Sequence, residues 1–129
     1  MFYLLDGHDV VACKDPIEFA HKYFKQERVV ATTALTQDVT LSTVFIGTDK
    51  RLESYGNETV GRPLVFETAL LINKQVEERV WLPTWEEAAA FHNAIVTRLD
   101  GIYTEIDKKI AARDMLLEHG GCKEEDNFE

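Results

Sequence analysis

The C-terminal third of the chain, Thr84 to His119, carries one hydrophobic stripe with helical spacing. If Trp85 takes heptad position a, apolar side chains recur mainly at positions a, d and e over about five heptads, without a change of phase. The stripe is made of Trp85, Ala88, Ala89, Ile95, Val96, Leu99, Ile102, Tyr103, Ile106, Ile110, Leu116 and Leu117. This pattern predicts a long amphipathic helix, and no other feature constrains the fold as strongly.

The length of this helix sets a limit on how the chain can cover it. An unbroken helix over these residues would be roughly 54 Å long, whereas a domain of this size has a diameter of about 36 Å. We therefore predict that the helix overhangs its domain and that a second copy covers its stripe, giving a dimer or an assembly of dimers. The alternative is a break at Asp100-Gly101 into two shorter helices. Glycine costs a helix only about 1 kcal/mol, so the unbroken or gently bent helix is preferred.

The residues before this helix predict an antiparallel sheet. Asp6-Gly7 lies between two short strand-forming segments and is a hairpin signal. Further strand-forming segments cover residues 28–35, 39–46, 64–72 and 76–82, and most are joined by short turns. Segment 39–46 has apolar side chains on both faces, which predicts a central strand. The order indicates an α+β fold, with a β-meander and with helices on one side or end of the sheet.

A short helix is predicted between the hairpin and the meander, with Asp15 as its cap and Pro16 in its first position. Ile17, Ala20 and Phe24 share one face of it, flanked by Phe19 and Tyr23, which indicates packing on a sheet. We predict a single domain over residues 1–121. Residues 122–129 form an acidic tail that is predicted to be disordered.

Composition narrows the classes of function. The net charge of −9 argues against binding of a nucleic-acid polymer, which needs a basic face. No run of 18 apolar residues and no secretory signal is present, so we expect a cytoplasmic protein without a membrane contact. The two cysteines have no metal-type spacing and are expected to be reduced. A small phosphorylated ligand needs only a few arginines and is compatible with this composition.

Catalytic and cofactor motifs are not found in the sequence. It has no phosphate loop, no dinucleotide-type glycine pattern and no Gly-x-Ser-x-Gly. We therefore predict a protein that is not an enzyme and needs no metal or cofactor.

Aromatic and polar residues near the start of the long helix are the candidates for a binding site. Trp81, Trp85 and Phe91 lie around the strand-to-helix junction, where they either pack in the core or form a stacking surface for a base. His92, at an a position, is either a hydrogen-bonded histidine in the helix seam or a ligand contact at a subunit groove. The neighbouring Asn93 has an amide that both donates and accepts.

Arg113 occupies an a position near the end of the stripe, one turn after Lys109. An arginine there is unfavourable without an acidic or anionic partner. It either pairs with Glu105 or Asp107 of a neighbouring chain or captures a phosphate, for which its planar guanidinium is suited.

Two pairs of segments resemble a known family. Residues 41–47 (LSTVFIG) are followed by residues 61–68 (GRPLVFET), and residues 84–88 (TWEEA) are followed by His92-Asn93. These segments resemble those of small phage proteins, the Thoeris anti-defence sponges of the first type. The resemblance covers nearly the full chain. The family's loop before Pro63 is glycine-rich, whereas residues 53–59 here read ESYGNET.

The resemblance implies a fold and a function. Such proteins are dimers that assemble further, and they hold, without degrading it, the cyclic ADP-ribose isomer made by bacterial TIR-domain enzymes. Some members also bind cyclic oligonucleotides at a separate site. The protein would then act in the cytoplasm of the infected bacterium. The candidate ligand-binding residues are Arg62, Trp81, Trp85, His92, Asn93 and, for a second anionic site, Arg113.

Two other functions fit the same sequence. A phage protein–protein adaptor would explain the acidic surface and the long helix, which would dock on a host factor. A small hydrolase of a phosphorylated metabolite would need a base, nucleophile or metal site, none of which is identified.

Overall fold

A computed structural model describes residues 1–51, 61–102 and 104–119 of the chain. The N-terminal hairpin is formed by β1 (Phe2–Asp6) and β2 (Asp9–Cys13), which pair in antiparallel fashion. Gly7 has a φ of +63° at the turn, a conformation that glycine adopts at little cost. The hairpin predicted from Asp6-Gly7 is thus confirmed.

Helix α1 (Pro16–Tyr23) begins as predicted, with the Asp15 carboxylate accepting a hydrogen bond from the Ile17 N–H at 2.9 Å. Its packing face differs from the expected one. Phe19 stacks on Phe2, and the Tyr23 hydroxyl donates to the Phe45 carbonyl, whereas Ile17 and Phe24 are exposed. Gly47 has a φ of +76°, and a Cβ added there would lie 2.9 Å from the Phe19 ring and 2.9 Å from the Tyr23 ring. The close approach of α1 therefore depends on that glycine.

The main sheet is a four-stranded antiparallel meander in chain order. It consists of β3 (Val29–Ala34), β4 (Val39–Phe45), β5 (Phe66–Ile72) and β6 (Gln75–Leu82). β4 is an inner strand, as its sequence predicts, and alternate residues along it from Val39 to Phe45 are buried. The α+β class and the meander are confirmed.

The C-terminal region consists of two helices of 15 residues each, α2 (Trp85–Leu99) and α3 (Glu105–His119). The preferred prediction of one unbroken, overhanging helix is wrong, and the alternative with a break at Asp100-Gly101 is correct. α3 packs on β6 and on α2, and this packing buries Ala112 and Leu116, whereas Ile106 and Ile110 of the stripe stay exposed.

The break is followed by a new helix cap, and Gly101 does not adopt a left-handed conformation there. The Thr104 hydroxyl accepts a hydrogen bond from the Asp107 N–H at 3.1 Å, which satisfies a donor at the start of α3. A Cβ added at Gly101 would meet nothing within 4 Å. Folding back then buries Ala112 and Leu116 completely, which an overhanging helix would leave to a partner.

Three features of the sequence lie outside the described residues: the acidic tail 122–129, the pair Gly120-Gly121, which predicts the end of the last helix, and the polar segment 53–59. Within the described part of the chain, no helix combines the length and the apolar character needed to cross a membrane.

Candidate functional site

The start of α2 is organised by Thr84 and Glu87. The spacing Thr84-x-x-Glu87 in the sequence predicts a capping box, and the Thr84 hydroxyl accepts a hydrogen bond from the Glu87 N–H at 3.0 Å. Glu87 Oε2 accepts from this hydroxyl at 3.2 Å, and Glu87 Oε1 lies 3.2 Å from Arg62 Nη2. The ion pair is half exposed, with 56% of the Arg62 side chain and 46% of the Glu87 side chain accessible. Such pairs stabilise a fold by about 1 kcal/mol or less, so another anion can compete for Arg62.

One cleft, the helix-side cleft, lies between the end of β6 and the two C-terminal helices. Its volume is about 380 Å³, within the range of small-molecule sites. It is lined by Arg62, Leu64, Trp81, Leu82, Pro83, Glu87, Ala90, Phe91 and His119. Trp81 is held in place by its indole N–H, which donates to Glu67 Oε1 at 2.9 Å. The cleft thus combines rigid aromatic walls with one guanidinium.

His119 brings the end of α3 to this cleft. Its ring lies 4.5 Å from the ring of Phe91. Desolvation by the surrounding protein lowers the pKa of His119, an effect that the nearby Glu87 carboxylate partly offsets. At neutral pH the imidazole is therefore uncharged and offers one donor and one acceptor to a ligand.

A second cleft, the hairpin-side cleft, lies on the other side of Arg62. Its volume is about 410 Å³. It is lined by Tyr3, His8, Asp9, Val10, Arg62, Pro63, Pro83, Thr84 and Glu86. Arg62 and Pro83 are shared by the two clefts, so the guanidinium lies at their junction.

Trp85 lies beside these clefts but lines neither of them. Its indole stacks face to face on the His8 imidazole, with ring centroids 3.7 Å apart and planes inclined by 6°. Phe66 contacts the indole edge-on from the core, at 6.2 Å between centroids. The sequence left open whether Trp85 packs in the core or forms a stacking surface; the indole is half-buried against the core, and a side chain of the hairpin covers its face.

His92 is a buried residue with a hydrogen bond at each ring nitrogen. Nδ1 lies 2.8 Å from Thr43 Oγ1 and Nε2 lies 2.9 Å from Thr33 Oγ1, and Thr43 in turn bonds to Thr68 at 2.8 Å. Burial lowers the pKa of His92. The first interpretation, a hydrogen-bonded histidine, describes this geometry, but the seam joins α2 to its own sheet. A ligand contact would require the ring to leave both threonines.

Asn93 and Arg113 line neither cleft. Asn93 is exposed on α2. Arg113 Nε lies 3.5 Å from Glu78 Oε1, and the Glu78 side chain is 8% exposed. The acidic partner of Arg113 is therefore in its own chain, where pairing with Glu105 or Asp107 of a neighbour had been expected. The structure brings together Arg62 and Trp81, with Trp85 adjacent, and leaves His92, Asn93 and Arg113 apart from them.

Three residues of this region were not identified from the sequence: His8, Glu87 as a partner of Arg62, and His119. Thr104-x-x-Asp107 is a cap signature that would have placed the start of α3. Two helices of equal length folded back at that point bring His119 near Phe91. The partners of His8 and Arg62 depend on contacts distant in sequence, for which no local signal exists.

Comparisons with family models, with curated proteins and with solved structures find no match for this chain. Among the described residues, no group of three or more histidine, cysteine or acidic side chains is arranged to hold a metal ion.

Proposed function

We propose that this protein binds and sequesters a small nucleotide of the cyclic ADP-ribose type without degrading it, as the resemblance to the Thoeris anti-defence sponges implies. In a bacterium infected by a phage that encodes it, such binding would block immune signalling. The observation that carries the proposal is the position of Arg62 at the junction of two clefts, one of which has Trp81 and Phe91 in its walls. Arginine suits a phosphate, and aromatic rings suit a base.

In the proposed site, the phosphate of the ligand replaces the Glu87 carboxylate as the partner of Arg62. Glu87 neutralises Arg62 at 3.2 Å, and both side chains are accessible. The 3.2 Å contact between Arg62 and Glu87 is long for a charge-assisted hydrogen bond, whereas a phosphate can accept two parallel hydrogen bonds from a guanidinium. We place the phosphates at Arg62, between the two clefts, and a base against an aromatic surface beside it, with His119 as an uncharged hydrogen-bonding group in the helix-side cleft. His92 and Arg113 are left out because each already has partners within the fold.

We also propose that the protein forms a homo-oligomer through its C-terminal helices. Because these are two short helices and not one overhanging helix, the length of the helix is not an argument for this proposal. The proposal of an oligomer is supported by a small apolar surface on α3, where Ile106 is 69% exposed and Ile110, one turn later, is 52% exposed. Two adjacent exposed isoleucines on one helix face are suited to pairing with the same face of a second copy.

The function is tested by mixing the purified protein with a cyclic ADP-ribose isomer, removing the protein by filtration and measuring the nucleotide left in solution. The protein is then heated and the released nucleotide identified. We expect depletion followed by recovery of the intact nucleotide. A hydrolysed product would contradict the proposal and support the alternative function of a small hydrolase. If the nucleotide is not depleted, the proposal is contradicted and the alternative function of a protein–protein adaptor is favoured.

Substitutions then locate the site. Arg62→Ala should reduce depletion at least tenfold, because one charge-assisted contact contributes about that much to affinity. Arg98→Ala is the matched control, since Arg98 is exposed on the last turn of α2 and lines neither cleft. Loss of depletion in Asn93→Ala but not in Arg62→Ala would move the site to the exposed face of α2 and contradict the cleft assignment.

A further inference from the structure

We propose that His8, on the turn of the N-terminal hairpin, occupies the surface of Trp85 on which the base of a nucleotide stacks, and that the base displaces it. The inference rests on the proposed function and adds to it the base-binding surface and the residue that competes for it. His8 is a residue to which the sequence assigns no role.

The geometry of the pair resembles that of a bound base. Aromatic side chains usually meet edge-to-face or offset, with centroids about 4.5–7 Å apart. The His8 and Trp85 rings are 3.7 Å apart and nearly parallel, at 6°. A nearly parallel ring at this separation is the arrangement that a purine adopts on an indole. His8 therefore fills the place of a planar heteroaromatic ring on this face.

The hairpin turn can move away without loss of the contacts that hold the hairpin to the domain. Phe2 stacks on Phe19, the Tyr3 N–H donates to the Gly47 carbonyl, and Leu5 exchanges two hydrogen bonds with the Gln26 side chain. All three anchors lie in β1, before the turn. Residues 6–9 of the turn are exposed.

Displacement of His8 would join two features that the present conformation separates. The hairpin-side cleft already contains Arg62 and is bounded on one side by His8. When the imidazole leaves, the Trp85 face is added to that cleft. A nucleotide could then place its base on Trp85 and its phosphate at Arg62. Phe66 holds the indole from the core side, so the stacking surface is present before binding.

The test uses ADP-ribose as the probe, with its dissociation constant measured calorimetrically for four proteins. An exposed aromatic contact changes an equilibrium constant by about two- to tenfold, so His8→Ala should bind ADP-ribose more tightly than the wild type by that factor. Trp85→Ala should bind more weakly than His8→Ala. His21→Ala, which removes an exposed histidine from α1, is the matched control and should equal the wild type.

A second measurement follows His8 itself. In the stack, the imidazole protons lie over the indole face and their NMR signals are shifted upfield by its ring current. Adding ADP-ribose should return these signals to the position of an exposed histidine, and Trp85→Ala should do so without ligand.

The outcomes separate this proposal from the function on which it rests. Equal or weaker binding by His8→Ala, or His8 signals that do not move when ADP-ribose binds, would overturn the role of His8 while leaving the binding function in place. Failure of all four proteins to bind ADP-ribose, together with no depletion of the cyclic isomer by the wild type, would overturn both.

Discussion

The two C-terminal helices have the same length and share one heptad pattern, yet they relate to the domain in different ways. α2 lies against the middle of the sheet and buries Ala88, Ile95 and Leu99 together with a hydrogen-bonded His92. α3 buries Ala112 and Leu116, with Ile106 and Ile110 left accessible. An apolar stripe therefore predicts which face of a helix is buried, but not whether a sheet, another helix or a second chain packs against that face.

The largest effect is expected at His92, the polar centre of the α2 interface. His92→Ala should lower the free energy of unfolding by about 3 kcal/mol, because it leaves a cavity and removes one hydrogen-bond partner from the buried Thr43 hydroxyl and one from the half-buried Thr33 hydroxyl. Denaturant unfolding measures this loss. His92→Gln, whose amide both donates and accepts, should be less destabilised. Equal losses for alanine and glutamine would show that the hydrogen bonds to Thr33 and Thr43 contribute little.

The same residue predicts a pH dependence. The pKa of His92 in the folded protein is below the ordinary value of about 6.5. Above that pH neither the folded nor the unfolded state carries the proton. As the pH falls below it, the unfolded state binds the proton first and stability declines. His119 contributes in the same direction. His92→Gln should flatten the decline, and an unchanged slope would exclude His92 as a cause.

A smaller effect is expected at the cap that starts α3. Thr104→Ala removes the acceptor for the Asp107 N–H and should cost about 1 kcal/mol. Thr84→Ala is the matched change at α2, where the Glu87 N–H loses its acceptor. Urea unfolding of both variants compares the caps directly.

Gly101→Ala provides the complementary control, since an added Cβ has open space there. It should change stability by less than about 0.5 kcal/mol. If this substitution instead produced a longer helix and a change in oligomeric state, the break would depend on glycine rather than on the Thr104 cap.

The smallest effect on the fold is expected on the exposed face of α3. Ile106→Lys with Ile110→Lys should alter the free energy of unfolding of the monomer by less than about 1 kcal/mol, because both side chains are accessible. If α3 mediates self-association, the same double variant should be monomeric when light scattering shows an oligomer for the wild type. A wild-type monomer at micromolar concentration would contradict the proposed oligomer.

The strands of the meander could be predicted because their information is local. β4 alternates buried and half-buried residues, and a short polar turn separates it from β3, so hydrophobic period and turn residues are sufficient to predict it. The Thr84 cap was predictable for the same reason. The heptad phase of the C-terminal stripe continues across the break, so the hydrophobic pattern favours one helix even though Thr104 and Asp107 have the spacing of a cap.

The candidate site was only partly predictable. Arg62, Trp81 and Trp85 stand out by residue type, and the structure places them near one another. The neighbours that define their chemistry come from elsewhere: Glu87 from the first turn of α2, His119 from the end of α3, and His8 from the first hairpin. These contacts connect residues up to 77 positions apart, as His8 and Trp85 show.

The sequence by itself determined the α+β class, the order of the elements, the central position of β4 and the caps at Asp15 and Thr84, because side-chain alternation and capping act over a few residues. Only the tertiary structure decided that the C-terminal stripe folds back on its own sheet, that His92 is enclosed by two threonines and that Trp85 is covered by His8. Those outcomes depend on which apolar surfaces and hydrogen-bonding groups meet in three dimensions, and folding back buries Ala112 and Leu116 of α3 within one chain while Ile106 and Ile110 stay exposed.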